Sequence, residues 1–445
     1  MQYSTFAAID IGSYDVILEI FEISKKQGIR SVDKICHRME LGKDTYTLGK
    51  IRPEMEEELC RVLADFVRIM EGYRVDAYRA MASSAISEAA NSLYVLGKIR
   101  QLTGLSVTVL SNSEQRFLGY KALAAMEDNF NKIIEKGTAI LDLDGGSFQI
   151  SLFDKDALVT TQNIRMGSLR IRERLAGIQS ETEHYEEMVE ELIWNEVSSF
   201  KKMYLKDRKI ENIMLIGDVF TDSVYQNIEE KTTKIISREN FNTWYEKIIR
   251  QSPMELAVKL GIPLENASLM YPSAVIYKCL IDMMGAEHIW IPGVHMTRGI
   301  AYEYAEQMKL LKGGHNFEND ILMAAKNIGK RYAVNRPHVQ NLEMTALAMF
   351  DATKKMHGMK ERERLLLQMA VMLHDVGKYI SFNNVADSSY NIIMSNEIIG
   401  LSHIEREMVA LIARYNTVTL PSYDELVMDC LLYTSPSPRD GATSR

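Results

Sequence analysis

Two short stretches of this sequence carry acid, glycine and hydroxyl side chains in an order suited to phosphate chemistry. "AAIDIGSYDVILEIF" at 7–21 and "AILDLDGGSFQISLF" at 139–153 each run an apolar strand into an aspartate, then glycine and serine, then a second apolar strand. A glycine at such a bend has no Cβ to keep an anion away from the backbone N–H groups, and a serine hydroxyl adds a donor. Gly12 and Ser13 in the first turn, and Gly145, Gly146 and Ser147 in the second, are therefore candidate phosphate-binding residues. Asp10 and Asp142 would repel phosphate themselves, but carboxylate oxygens at strand ends suit a hydrated Mg²⁺ or a water. One such turn is ordinarily a plain hairpin. It is the repetition that points to chemistry.

The elements that must position these residues alternate. Apolar strand segments at 6–22 and 32–41 precede "PEMEEELCRVLADFVRIMEGY", where Leu59, Val62, Leu63 and Phe66 fall at helical spacing. A strand near 77–81 leads into a helix within "ASSAISEAANSLYVLGKIRQLTG", stopped by Gly104, and "SVTVLS" supplies the next strand. The pattern then repeats: strand, turn and strand at 138–153, the strand "ALVTTQNIRMG", the helical "ETEHYEEMVEELIWNEVSSFKKMY", and the strand "NIMLIGD". The chain reads as a duplicated α/β unit with halves at 1–128 and 129–312. From "KGGHNFENDI" onward the strand signal vanishes, so Gly313-Gly314 reads as a linker into an all-helical domain over 313–430, with helical period to 417. The closing "LLYTSPSPRDGATSR" breaks composition and period and is set apart, from about residue 431, as non-native sequence, with the natural C-terminus expected to be missing.

Composition bounds the partners. The 445 residues, 46% hydrophobic and 25% charged, suffice for two or three globular domains. A net charge of -8 excludes a domain-wide basic field for a nucleic-acid polymer, leaving room for local phosphate pockets. Cys36, Cys60, Cys279 and Cys430 show no C-x-x-C spacing, which argues against a disulfide scaffold or thiolate zinc site and fits a reducing compartment. No apolar run reaches the ~18 residues of a membrane span, so no membrane role is expected and the cytoplasm is the expected location.

Two phosphate hairpins about one domain apart, each opening an α/β half, resemble the actin-like ATPase fold shared by sugar kinases, actin and heat-shock chaperones, a ribonuclease H-like duplication with its site in the cleft between halves. Within that group the chain is similar to the exopolyphosphatase and guanosine pentaphosphate phosphohydrolase (Ppx/GppA) family. The matching stretches are "AIDIGS" at 8–13, "ASSAISEAAN" at 82–91, "LSNSEQR" at 110–116, "LDLDGGSFQISLF" at 141–153 and "RMGSLRIRERL" at 165–175. The resemblance implies a hydrolase that releases terminal phosphate from inorganic polyphosphate or guanosine penta- or tetraphosphate, with Mg²⁺ as cofactor. It implies Glu114 as general base, with Asp142 and Gln149 beside it in the catalytic cleft; otherwise Glu114 is a helix-start carboxylate favoured by the helix dipole.

The departures concern the same cleft. Where the family reads D-I-G-G-G-S-T-E, this chain reads Asp142-Leu143-Asp144-Gly145-Gly146-Ser147-Phe148-Gln149, so a glycine has become an acid and a glutamate an amide. The first turn continues Tyr14-Asp15, Ser87 stands where an arginine is expected, and Gly217-Asp218-Val219 replaces a Gly-Gly-Thr turn. Arg165, Arg170, Arg172 and Arg298 are the cations available to compensate. The alternative reading is thus a nucleotide- or polyphosphate-binding regulatory protein with impaired hydrolysis. The helical domain resembles HD phosphohydrolases, which implies His338, His374 and Asp375 as ligands of a second divalent metal, with His403 the first later histidine that could join them. Helical tails of this family also serve as substrate channel or dimer surface, so a homodimer is among the expectations.

Overall fold

A computed structural model of the chain describes residues 4–126, 130–155, 157–176, 185–227, 234–311, 315–416, 418–420 and 422. The Gly313-Gly314 linker, Cys430 and the closing tail lie outside these residues.

Two mixed sheets share a five-strand order, to which the second adds one edge strand. The first is built from β1 (Ser4–Ile11), β2 (Asp15–Ser24), β3 (Gly28–Arg38), β4 (Ala77–Ala82) and β5 (Val107–Val109) in the order β3-β2-β1-β4-β5. The second holds β6 (Thr138–Leu143), β7 (Phe148–Asp154), β8 (Ala157–Ile164), β9 (Asn212–Ile216), β10 (Ile235–Ser237) and β11 (His288–Trp290) in the order β10-β11-β9-β6-β7-β8. In each, three antiparallel strands run consecutively, and the first then pairs in parallel with a strand reached by a helical crossover. β1 and β6 are covered on both faces, which is why they read as unbroken apolar runs. The duplication visible in the sequence is therefore a duplication of sheets.

Local departures have local causes. The 6–22 segment is two strands, as its strand–turn–strand pattern implies, and Gly12 N donates to Asp15 O at 2.9 Å to close the turn. The strand read over 32–41 ends at Arg38, and Leu41 opens a helix, Leu41–Leu48. The helix expected after β4 breaks into Ser84–Ser87 and Ser92–Thr103. Asn91 sits between them with its amide on the backbone N–H and C=O of Ile51, at 3.0 and 2.8 Å, a side-chain alternative to helical bonding. Gly104 ends the second piece with φ +74°, a left-handed conformation that glycine adopts without strain. Leu59, Val62, Leu63 and Phe66 of the Pro53–Gly72 helix are buried on the first sheet.

The described chain divides into two compact units. One comprises Met1–Asn327 with Glu397–His403 and contains both sheets; the other comprises Ile328–Asn396 with Ile404–Arg445. The described part of the second is helical, with Arg336–His357, Glu361–Leu373, Val385–Ser395 and most of His403–Arg414. No described helix is long and apolar enough to cross a membrane.

Candidate active site

The two turns lie against each other. Leucine and serine side chains fill the join: a Cβ on Gly145 would stand 3.1 Å from Leu169 Cβ and 3.3 Å from Ser13 Cβ. A Cβ on Gly146 would collide with the Tyr46 hydroxyl, so this position requires glycine for close approach. Tyr46, from the Leu41–Leu48 helix, hydrogen-bonds Ser13 Oγ at 2.7 Å and Ser84 Oγ at 2.8 Å. Ser13 and Ser147 are consequently buried and already bonded.

Beside the join is a cavity of about 100 Å³ lined by Asp10, Asp15, Asp142, Asp144, Gln115, Arg116 and Gly217, among others. Asp10 is the next-to-last residue of β1, and its Oδ1 is shut from solvent without a hydrogen-bond partner among the described residues. Burial, reinforced by Asp15 and Asp144, holds its carboxyl well above the usual carboxylate range. Asp15 is pushed up to about 6, chiefly by burial. Asp142 is likewise raised to about 6 by burial, even though Arg116 opposes the shift. Arg116 Nη1 donates to Asp142 Oδ1 at 2.5 Å, while its Nη2 donates to Ser147 O and Oγ at 3.1 and 3.0 Å. Neither the Arg116 pairing nor the Tyr46 contact was foreseeable from motif spacing.

The family departures occupy donors that would otherwise face an anion. Asp144 Oδ1 accepts from Gly145 N at 2.6 Å and its Oδ2 accepts from Gln115 Nε2 at 3.1 Å. Asp218 Oδ1 accepts from Phe220 N and Thr221 N at 3.1 and 3.2 Å, capping the Val219–Asn227 helix. Burial raises Asp218 to about 7. Among the candidate cations, Arg170 is spent on Gly146 O and Glu88 at 2.8 and 2.9 Å and stacks on Tyr46, and Arg172 is spent on Glu40 at 2.8 Å. Arg298 reaches Ile29 O at 3.5 Å, and Arg165 is exposed. Ser87 Oγ makes only a local bond to Ser84 O at 3.5 Å.

The remaining cleft candidates, Glu114 and Gln149, do not line this cavity. Glu114 starts the Asn112–Met126 helix with Oε2 accepting from Ser111 N and Oγ at 2.9 and 2.7 Å, a capping box closed by Glu114 N on Ser111 Oγ. It does not line the cavity; its neighbour Gln115 does. Gln149 stands opposite Asp142 in the β6–β7 register, buried, donating to Ser151 Oγ at 3.2 Å with Oε1 unpartnered, and it too is absent from the lining.

In the helical unit, His338, His374 and Asp375 each offer one ligand atom, all within 4.8 Å of one another. His374 Nδ1 lies 2.7 Å from Val371 O and donates to it, which leaves Nε2, 3.4 Å from Asp375 Oδ1, as the ring nitrogen that faces the cluster. Lys378 Nζ donates to Asp375 Oδ2 at 2.6 Å and competes for that carboxylate.

Two sheets with a common five-strand order, the second extended by β10, meeting at paired Asp–Gly–Ser turns define an actin-like ATPase fold, and the solved structures that this chain is similar to share it. An exopolyphosphatase of Cytophaga hutchinsonii superposes with a TM-score of 0.61 at 17% identity, covering 68% of this chain and 98% of its own. A Ppx/GppA family member of Aquifex aeolicus superposes with a TM-score of 0.56 at 17% identity, covering 69% and 99%. The Ppx/GppA phosphatase family matches residues 20–308, and domain III of Ppx/GppA phosphatases matches 322–427. The chain belongs to the Ppx/GppA phosphatase family. It is 19% identical over 426 residues to a guanosine-5'-triphosphate,3'-diphosphate pyrophosphatase of Photobacterium profundum, covering 94% of this chain and 82% of the relative. It is also 21% identical over 310 residues to a bifunctional 3-dehydroquinate synthase/phosphatase of Fusobacterium nucleatum, covering 64% of this chain and 44% of that protein.

Proposed function

We propose that this chain is a Mg²⁺-dependent phosphohydrolase that removes terminal phosphate from inorganic polyphosphate or guanosine penta- or tetraphosphate. The observation that carries the reading is the buried, unpartnered Oδ1 of Asp10 in a cavity shared with Asp15, Asp142 and Asp144. Such a set of oxygen donors fits a hard divalent cation and no anion. Asp10 and Asp142 would hold Mg²⁺, which when bound would neutralise charge on the phosphoryl oxygens. Arg116 orients Asp142 and ties it to the second turn. Asp15, lining both this cavity and the next, takes the proton from the attacking water, since a carboxyl raised to about 6 is a better base than one at the usual value.

This assignment moves the base away from Glu114, whose carboxylate is committed to a helix cap. Phosphate release from polyphosphate and from guanosine pentaphosphate, with and without Mg²⁺, tests the reading. Asp15→Asn should lower turnover by ~10²- to 10⁴-fold. Glu114→Gln should keep turnover within about threefold and cost about 1 kcal/mol of stability as the cap weakens. The reverse ranking would return the base to Glu114.

One observation favours a second reading, a binding protein with little hydrolysis: the Asn112–Met126 helix meets the cavity with Gln115, Arg116 and Gly119, and with no carboxylate. Tight Mg²⁺-dependent binding of either substrate without phosphate release would select it. In the helical unit, His338, His374 and Asp375 fit a second divalent metal by donor type and by the orientation of His374, with Lys378 as its internal rival.

A further inference from the structure

The 100 Å³ cavity opens beside a larger one of about 420 Å³, with Asp15, Asp144 and His295 lining both. Its acidic residues are Asp15, Asp144, Asp218 and Asp222, and among the described residues of the lining the one lysine and the one arginine, Lys34 and Arg38, are both on β3. β3 is an edge strand, and beyond the irregularity opposite Ile20/Phe21 its alternation sends Lys34, Cys36 and Arg38 to one face, all three exposed and all three on the cavity. Neither cation makes a side-chain hydrogen bond or salt bridge among the described residues, whereas Arg30 on the same strand is paired with Glu22 at 2.5 Å.

A lysine and an arginine that make no side-chain hydrogen bond or salt bridge among the described residues share a cavity with four acids, of which Asp15 is the cross-strand neighbour of Arg38 on β2. Their placement answers an electrostatic difficulty. A polyanion approaching the turns from this side would meet carboxylates alone if the β3 wall were neutral. Arg170 and Arg172, the cations that motif matching favours, are spent on Glu88 and Glu40. Resting on the phosphohydrolase reading, we propose that Lys34 and Arg38 bind the phosphate tail of the substrate beyond the group being cleaved and select substrates by the length of that tail. Four residues along a strand separate the two Cα atoms by about 13 Å, so the pair suits different phosphates of a chain better than one phosphate. Arg38 can fork two phosphate oxygens, and Lys34 supplies a point charge.

The test is steady-state phosphate release in Mg²⁺ with three probes: pyrophosphate, long-chain inorganic polyphosphate and guanosine 5'-triphosphate 3'-diphosphate. Lys34→Ala and Arg38→Ala should each raise KM for polyphosphate about tenfold with kcat within about twofold, the loss of one charge-assisted contact, and the pair should raise it about a hundredfold. The pyrophosphate KM should move least. Lys34→Arg should restore most of the loss, and Arg30→Ala, off the cavity, should change nothing. Both side chains are exposed, so melting temperatures should hold; if wild type binds polyphosphate without turnover, the same factors should appear in Kd. An unchanged KM or Kd in the double variant overturns the proposal and leaves the phosphohydrolase reading standing. A loss confined to the guanosine compound also overturns it, since the contact would then be to the nucleoside. Wild-type protein that neither binds nor cleaves any probe overturns both.

Discussion

Asp10 and Asp142 occupy equivalent positions in the two halves, each at the end of the strand that pairs antiparallel on one side and parallel on the other. Their surroundings differ. Asp142 is held by Arg116 at 2.5 Å, while Asp10 Oδ1 has no partner. The duplicated fold therefore supplies two copies of one turn, and the helix Asn112–Met126, by sending Arg116 to the second only, divides their labour. One aspartate is pinned by an ion pair; the other keeps a buried oxygen with no hydrogen bond among the described residues.

That contrast can be broken most directly by paired substitution. Asp142→Asn should cost about 3–5 kcal/mol, because Arg116 would be left buried without its charge partner. Asp10→Asn should raise the melting temperature of metal-free protein, because a desolvated carboxylate is removed, and should still abolish Mg²⁺-dependent phosphate release. Equal destabilisation by both variants in thermal melts would mean that the two turns are not differently employed.

Acidity sharpens the contrast less strongly. Asp15 and Asp142 at about 6, and Asp218 at about 7, lie above their ordinary value of 3.8. Between those limits the folded chain holds more protons than the unfolded one, so these groups lower stability as pH rises through about 4 to 7 and change nothing further above it. The metal-free melting temperature should fall across that window, and Mg²⁺ should stabilise the protein more at about pH 7.5 than at about pH 5.5. A Mg²⁺ shift independent of pH would detach the cation from these carboxylates.

The smallest effect concerns the helical unit. Purified protein should carry a transition metal that His374→Ala removes, with phosphate release in the cleft unaltered within about twofold. Metal-free protein after loading with Mn²⁺ would leave His338, His374 and Asp375 as a polar cluster answered by Lys378.

Much of this was legible in the residues. The strands of both hairpins, the amphipathic helix carrying Leu59 to Phe66, the Gly104 stop and the all-helical character after the second half follow from local period and from the few conformations open to glycine, and the structure has them. The three-residue strands β10 and β11 were not read, although the equally short β5 was, within the alternating "SVTVLS". Glu114 and Gln115 differ by one position along a helix, about 100° of rotation, and only the capping bond to Ser111 decides which of them meets the cavity.

By itself, then, the sequence determined where phosphate-type turns occur, which acids end the strands and to which family the cleft is similar, because those are properties of adjacent residues. Which acids remain open was decided by partners that arrive from afar: Arg116 on Asp142 across 26 residues, Tyr46 on Ser13 across 33, and Glu88 on Arg170 across 82. An ion pair or a hydroxyl contact satisfies a group only when the tertiary fold brings it within about 3 Å, and no motif spacing encodes that distance. The same holds for Lys34 and Arg38: their cross-strand neighbours on β2 are Glu19 and Asp15, yet neither cation makes a salt bridge among the described residues, which no motif spacing encodes.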